Sequence, residues 1–289
     1  MRVLCLHGHG TSAQIFRAQT GSFQRLHVLM TVSNIAFAAA FRSKLDKSWQ
    51  FEFVDAPFPC PPAPGIDVLF TKSENYTWWP KNSVQAIRAS HLWLDDYLEE
   101  HGPYDGVCGF SQGCLLINSY LLYHARETPE VALPFRWAVF LCGGVAFPVL
   151  EDLGLPISRR AHEINDLSSK TMKAKASVLY DMAANPSQIQ LGVGLWDNTA
   201  DLLHDPKMMP DERDCFGLDF SKFPKDLRIR IPTVHIYGGK DPRWPSSIQL
   251  AYFCDDRKMY DHGGGHDVPR SSDVSVKIAE LIKTVNKES

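Results

Sequence analysis

Short apolar runs alternate with helix-length segments along this chain of 289 residues, and this alternation constrains the fold more than any other feature. Strands separated by helices favour a mostly parallel sheet with helices on both faces. The length fits one α/β domain over residues 1–289. The pattern predicts strands at Val3–Leu6, Gln50–Asp55, Tyr104–Phe110, Trp137–Cys142 and Thr233–Gly238, and helices at Ser83–Glu100, Cys114–His124 and Val274–Val285.

Two stretches depart from a minimal α/β pattern. Phe147–Leu227 is much longer than the usual connection of about ten to twenty residues, and Ser168–Ala184 within it has a helical pattern. Ligands bind at the carboxyl ends of parallel strands, so we predict a lid-like insertion at about 147–227, with additional core as the alternative. Five prolines in Pro57–Pro64 predict a loop without regular structure.

Composition excludes several functional classes. The formal charge of −3 and the absence of Lys/Arg runs argue against nucleic-acid binding and polybasic membrane binding. The apolar stretch Val28–Phe41 is shorter than the roughly 18–20 residues that span a bilayer, and the apolar start of the chain ends at His7, too soon for a secretory signal. Seven cysteines without ligand spacing favour neither a disulfide framework nor zinc. We therefore expect a cytoplasmic protein without metal or cofactor.

The pentapeptide Gly109–Gly113 fits the pattern G-x-S-x-G, with Ser111 at its centre. It follows a predicted apolar strand and precedes a predicted helix, which is the setting that this motif requires. A tight turn there exposes the hydroxyl at a helix N-terminus, where the helix dipole favours negative charge. Ser111 is the predicted nucleophile; a Gly-rich turn with a helix-capping serine is the alternative.

A serine nucleophile needs a base that is oriented by a third group, and α/β-hydrolases supply them in the chain order Ser, Asp/Glu, His. Asp241 follows the predicted strand Thr233–Gly238, and His266 lies in a glycine-rich loop before the last helix. The chain order therefore predicts Ser111, Asp241 and His266 as catalytic residues.

Nearby residues compete for these roles. His262 is the alternative base, whereas Asp267 fits a surface loop and His235 a buried strand position. Asp205 and Asp219 lie in the inserted segment, and we interpret them as structural.

Two backbone N–H groups are needed to stabilise the oxyanion. Gln112, directly after the nucleophile, supplies one, and His9 in the loop after the first strand supplies the other, with Gly10 as the alternative. His7-Gly8 can also be read as a simple strand-end turn. Tyr76, Trp78 and Trp79 either line the substrate pocket or pack at the surface.

These motifs resemble the fungal FSH-type serine hydrolases over nearly the whole chain. The matching residues are Leu6–Ser12, Phe16–Arg17, Gln19–Thr20, Val54–Pro57, Gly109–Gly113 and Gly263–His266. A second group resembles the branch found in fungal polyketide biosynthesis: Gly194–Asp197, Leu203–Pro206, Phe216–Phe220 and Lys240–Pro242. The resemblance implies an α/β-hydrolase fold, a Ser111–His266–Asp241 triad and hydrolysis of the thioester that joins a finished polyketide to the acyl-carrier domain of its synthase.

One segment departs from this family. Relatives pass from the Gln-Thr motif directly to an Arg-containing helix, whereas Gln24–Ala40 is extra here. Our hypothesis is an unspliced intron in the gene model, and the alternative is a genuine insertion helix.

Three functions remain to be distinguished. A thioesterase or esterase acting on an acyl thioester or ester substrate, with an acyl-carrier domain as partner, is the first. A general carboxylesterase on small oxygen esters uses the same machinery. A silent binding module requires a broken triad, and all three triad positions are intact.

Overall fold

The computed structural model describes residues 1–21, 40–70, 72–184 and 194–289. Its strands are β1 (Arg2–Leu6), β2 (Gln50–Val54), β3 (Phe58–Pro59), β4 (Tyr76–Thr77), β5 (Gly106–Phe110), β6 (Trp137–Leu141), β7 (Thr233–Tyr237) and β8 (Arg257–Asp261). Six of them form a parallel sheet in the order β2-β1-β5-β6-β7-β8, and β3 pairs with β4 in an antiparallel ribbon.

Helices cover both faces of the sheet. They are α1 (Ala13–Thr20), α2 (Ile66–Leu69), α3 (Val84–His101), α4 (Gln112–Glu127), α5 (Phe147–Asp152), α6 (Arg159–Ala184), α7 (Trp244–Tyr252) and α8 (Ser272–Glu288). Successive side chains of a strand point to opposite faces. Val3 and Cys5 accordingly pack with α1 and α8, whereas Leu4 and Leu6 pack with α3, α4 and α7. The prediction of an α/β-hydrolase fold is confirmed.

Four of the predicted strands are central in the sheet, because continuous apolar runs mark β1, β5, β6 and β7. The fifth is the edge strand β2, where Phe51, Phe53 and Val54 gave the signal. The predicted third strand begins at Gly106 rather than Tyr104. Strand β8 has no such signal, since it is a half-buried edge strand with charged residues at both ends. The prediction of no regular structure in Pro57–Pro64 is wrong at Phe58–Pro59, because these residues pair with Tyr76–Thr77.

The long connection between β6 and β7 contains α5, α6 and two short 3-10 turns at Glu212–Asp214 and Phe220–Lys222. Part of this connection is additional core, because Leu150, Leu218 and Phe220 are buried in the cluster that also contains α4. Helix α6 begins at Arg159, nine residues before the predicted start, which is position 168.

Of the extra segment Gln24–Ala40, only Ala40 lies within the described residues. Its two flanks are in contact: the Arg42 guanidinium donates from Nε to Thr20 Oγ1 at 2.9 Å and from Nη2 to the Arg17 carbonyl oxygen at 2.7 Å. The two flanks therefore lie side by side in the fold. In the part of the chain that the structure describes, no helix has the length and apolar character needed to cross a membrane.

Candidate active site

Ser111 lies at the turn between β5 and α4, where φ is 50° and ψ is −112°. A side chain at positive φ is strained, so the surrounding structure must hold this conformation in place. A Cβ at Gly113 would lie 2.2 Å from the Leu6 carbonyl oxygen, and one at Gly109 would lie 2.7 Å from Ile117 Cδ1. Neighbouring atoms therefore leave no room for a side chain at either position, as the motif predicted.

A chain of hydrogen bonds joins Ser111, His266 and Asp241. Ser111 Oγ lies 2.9 Å from His266 Nε2, and His266 Nδ1 lies 2.7 Å from Asp241 Oδ2. A carboxylate only accepts, so Nδ1 carries the ring proton and Nε2 accepts from the serine hydroxyl. Asp241 is fully buried and the His266 side chain is 12% exposed, which keeps the pair largely out of water.

The carboxylate of Asp241 is held at both oxygens. Oδ2 faces His266, and Oδ1 accepts the backbone N–H of Arg243 at 2.7 Å. The Asp241 N–H donates to the Gly238 carbonyl oxygen at 3.0 Å, which closes the turn after β7. The geometry leaves the carboxylate little freedom to rotate away from the imidazole.

The competing residues have other partners. His262 Nδ1 accepts from the Gly264 N–H at 3.3 Å, and Asp267 Oδ1 accepts from the Gly265 N–H at 3.1 Å. Both side chains shape the glycine-rich loop around His266 rather than replacing a member of the hydrogen-bonded chain.

His235 lies in the core of the sheet, as predicted. Its Nε2 is 3.0 Å from Thr233 Oγ1, its ring stacks on Phe140, and burial lowers its pKa to about 3. Asp205 and Asp219 accept backbone N–H groups in turns of the insertion, so both are structural as expected.

Three backbone N–H groups were candidates for binding an oxyanion. Gln112 is the first residue of α4, where the N–H has no acceptor within the helix. Among the described residues, the His9 N–H has no hydrogen-bond acceptor. The Gly10 N–H is engaged, because it donates to the Tyr76 carbonyl oxygen at 3.0 Å. Gln112 and His9 are therefore the available donors.

The Gln112 side chain has a role that sequence reasoning missed. Its Oε1 accepts from Thr77 Oγ1 at 3.0 Å and from the Trp78 N–H at 3.1 Å, which ties the start of α4 to the end of β4. Trp78 Nε1 in turn donates to the His7 carbonyl oxygen at 2.8 Å. Trp78 is fully buried and Trp79 nearly so. Both tryptophans belong to the core, so packing at the surface is excluded for them, and their contacts support the turn beneath the site.

His7 is structural. Its Nε2 accepts the Ala56 N–H at 3.0 Å and its Nδ1 donates to the Gly8 carbonyl oxygen at 2.7 Å. Desolvation lowers the pKa of the His7 imidazole, so the ring stays neutral at the end of β1. It anchors the loop that carries His9.

Residues of the insertion form a wall against both loops of the site. Trp196 packs so closely on Gly265 that a Cβ there would lie 2.0 Å from the indole. Lys240 forms an ion pair with Asp197 at 2.7 Å, and His204 Nε2 donates to the Gly239 carbonyl oxygen at 2.9 Å.

Cys142 Sγ, a carboxylate oxygen of Asp241 and a ring nitrogen of His266 lie within 4.8 Å of one another, close enough to share a metal ion. Burial and the nearby Asp241 carboxylate raise the pKa of the Cys142 thiol, and a protonated thiol is a poor ligand. The Asp241 oxygen and the His266 nitrogen are already hydrogen-bonded to each other. The donor set therefore fits a hydrogen-bonded pair better than a metal centre.

A serine at a strained strand–helix turn, joined through histidine to a buried aspartate at the carboxyl ends of a parallel sheet, defines an α/β-type serine hydrolase. The model of the serine hydrolase (FSH1) family matches residues 1–278, and the chain belongs to this family.

Curated relatives are similar over most of the chain. Esterase alnB of Emericella nidulans is 32% identical over 288 residues, covering 94% of this chain and 92% of the relative. Esterase FPY3 of Fusarium mangiferae is 27% identical over 274 residues, covering 93% and 89%. A solved structure, the type II thioesterase BorB from the borrelidin biosynthetic cluster, aligns at 12% identity with a TM-score of 0.46, covering 99% of this chain and 92% of that one.

Proposed function

We propose that Ser111, His266 and Asp241 are the catalytic residues of an esterase or thioesterase that works through a covalent acyl-enzyme. Ser111 Oγ attacks the acyl carbonyl carbon while its proton passes to His266 Nε2. The C–S or C–O bond then breaks, and the leaving group takes that proton. Water attacks the acyl-serine, gives a proton to His266, and the released Ser111 oxygen takes it back. The observation that carries this proposal is the hydrogen-bonded chain from Ser111 to Asp241.

The tetrahedral oxyanion is bound by the backbone N–H groups of Gln112 and His9. The helix N-terminus at Gln112 adds a favourable dipole. Since the Gly10 N–H already donates to the Tyr76 carbonyl oxygen, the choice of His9 over Gly10 is supported.

For the substrate, we propose a polyketide acyl chain on the acyl-carrier domain of a polyketide synthase, with the insertion serving as a lid within the same domain. The support is the resemblance to the polyketide-pathway branch and the place of its motifs. Trp196, Asp197 and His204 lie in those motifs, and all three contact the loops that carry Asp241 and His266.

Replacing the proposed nucleophile is the primary test. Ser111→Ala should abolish turnover of an acyl thioester and labelling by a fluorophosphonate probe while thermal unfolding changes little. His262→Ala and His266→Ala form a matched pair of histidine variants from the same loop, and only the second should lose activity. Wild-type protein that resists the probe would refute the proposal.

A general carboxylesterase is the second candidate, because relatives that cover most of this chain are named esterases. Kinetics on an oxygen ester and a thioester of the same acyl chain separate the two. A kcat/KM that favours the thioester supports the first candidate, and the reverse supports the second.

The proposed carrier partner is tested by comparing two thioesters of the same acyl chain, one on a carrier domain and one on a small thiol. A phosphopantetheinylated carrier domain should be a better substrate, by kcat/KM, than the same acyl chain on a free small thiol. Equal values would remove the carrier domain from the proposal.

All seven cysteines are free thiols in the structure. Because free thiols persist in a reducing compartment, they support our proposal of a cytoplasmic location. Fractionation of the producing cells, followed by detection of the protein, tests it.

A further inference from the structure

Arg243, two residues after Asp241, reaches from the start of α7 to the inserted helix α6. Its Nη1 donates to the Asn165 carbonyl oxygen at 2.9 Å and to Ser168 Oγ and Ser169 Oγ at 2.8 Å each. Its Nη2 donates to Asn165 Oδ1 at 3.1 Å. One guanidinium therefore donates hydrogen bonds to both backbone and side-chain oxygens in a single turn of α6.

These acceptors are all neutral. No carboxylate of the described residues lies within ion-pair distance of the guanidinium, although arginine is normally buried only with an anionic partner. Desolvation lowers the pKa of Arg243, while the charges of Asp241 and Asp166 raise it. Arginine stays protonated in proteins, so neutral groups of α6 hold a half-buried, charged guanidinium.

We propose that Arg243 is a positioning residue that fixes the Asp241 turn to helix α6. This inference rests on the proposed function. The Arg243 N–H holds Asp241 Oδ1, and the Arg243 side chain fixes the same residue to α6. The turn of α6 around Asn165–Ser169 and the turn that carries Asp241 are therefore held together by one side chain.

The anchor has a predictable effect on catalysis. Asp241 Oδ2 orients His266 Nδ1 across 2.7 Å, so an Asp241 turn that is no longer fixed to α6 lets the carboxylate and the imidazole move out of line. Removing the Arg243 side chain should therefore lower kcat while KM changes little.

Three variants test the anchor from both of its ends. Arg243→Gln removes the guanidinium, Arg243→Lys keeps a cationic donor without the planar fork, and the double change Ser168→Ala with Ser169→Ala removes two acceptors. Arg228→Gln is the matched control, because Arg228 pairs with Asp255 through Nε at 3.0 Å. Each variant is assayed for kcat, KM, fluorophosphonate labelling and thermal unfolding.

We expect Arg243→Gln to lower kcat/KM about 100-fold, mainly through kcat. Arg243→Lys should recover part of that loss because a donor remains, and the double serine variant should lose about tenfold in kcat/KM. Arg228→Gln should resemble the wild type.

A folded Arg243→Gln variant whose kcat matches the wild type would overturn the inference. A loss that falls on KM alone, or one that a lowered melting temperature accounts for and Arg243→Lys does not rescue, would assign Arg243 a purely structural role and would also overturn it. If Arg243→Gln does not fold, Arg243→Lys and the double serine variant decide by the same criteria. Failure of the proposed function is distinguishable, since the wild-type protein itself would then resist the probe.

Discussion

Replacing Asp241 by asparagine tests the proposed mechanism at its most buried member. The two side chains have the same shape, and the amide oxygen of the new side chain can still accept the Arg243 N–H that now binds Asp241 at 2.7 Å. The amide NH₂ then faces His266 Nδ1, where a carboxylate oxygen lies at 2.7 Å in the wild type. Since an NH₂ group only donates, Nδ1 must become the acceptor, and the ring proton moves to Nε2.

In that tautomer, the N–H at Nε2 points at Ser111 Oγ, 2.9 Å away, and cannot take the proton of the attacking hydroxyl. The corresponding change in a protease triad lowers kcat about 10⁴-fold, which equals roughly 5.4 kcal/mol of transition-state stabilisation. We expect a loss of the same order here, with KM nearly unchanged because Asp241 does not contact substrate in the proposed mechanism.

The assay is steady-state hydrolysis of an acyl thioester, with thermal unfolding as the test of folding. Asp267→Asn is the matched control, because Asp267 adjoins His266 and its Oδ1 accepts the Gly265 N–H of the same loop at 3.1 Å. This variant should retain most of the activity. A folded Asp241→Asn enzyme within about tenfold of the wild type would refute the tautomer argument.

Further predictions concern stability and packing. His235 has a pKa of about 3 in the fold against 6.5 as its ordinary value, so its neutral form stabilises the protein above pH 6.5, and this stability is lost as the pH falls towards 3. When the pH is lowered from 7 to 5, the unfolding free energy of His235→Gln should therefore fall by about 2 kcal/mol less than that of the wild type. Urea denaturation at both pH values measures this, and an equal fall in the two proteins would contradict it. Gly265→Ala places a methyl group against the Trp196 indole and should lower kcat/KM about tenfold or more. Adding Trp196→Ala should recover part of that loss, and a double variant no better than Gly265→Ala would show that Trp196 is not the obstacle. Gly113→Ala should cost about 3 kcal/mol of stability or prevent folding, because its Cβ meets the rigid Leu6 carbonyl; a soluble variant with the wild-type melting temperature would exclude this clash.

The residues of the proposed triad were predictable because each lies in a setting that the local sequence reveals. Ser111 follows an apolar strand between two glycines, Asp241 follows another strand, and His266 sits in a glycine-rich loop. Parallel strands bring their carboxyl ends to one edge, so the order of elements was enough to place these residues together.

The supporting contacts were not predictable, because they depend on how distant elements pack. Nothing around Gln112 indicates that its side chain reaches the end of β4, and nothing around Arg243 indicates that it binds α6 across the insertion. Strand β8 was missed for a related reason, since an edge strand needs no continuous apolar run. Helix α7 carried a weak signal, a proline in its first turn at Pro245.

The contact between Thr20 and Arg42 has a consequence for engineering. These two positions lie 22 residues apart in the sequence and are hydrogen-bonded to each other, so they form a closed junction. For a flexible connection between two such points, closure costs only about 0.6 kcal/mol more each time the length doubles. The fold can therefore accept stretches of very different length at this junction, which makes it a natural position for grafting an affinity tag or a fluorescent reporter.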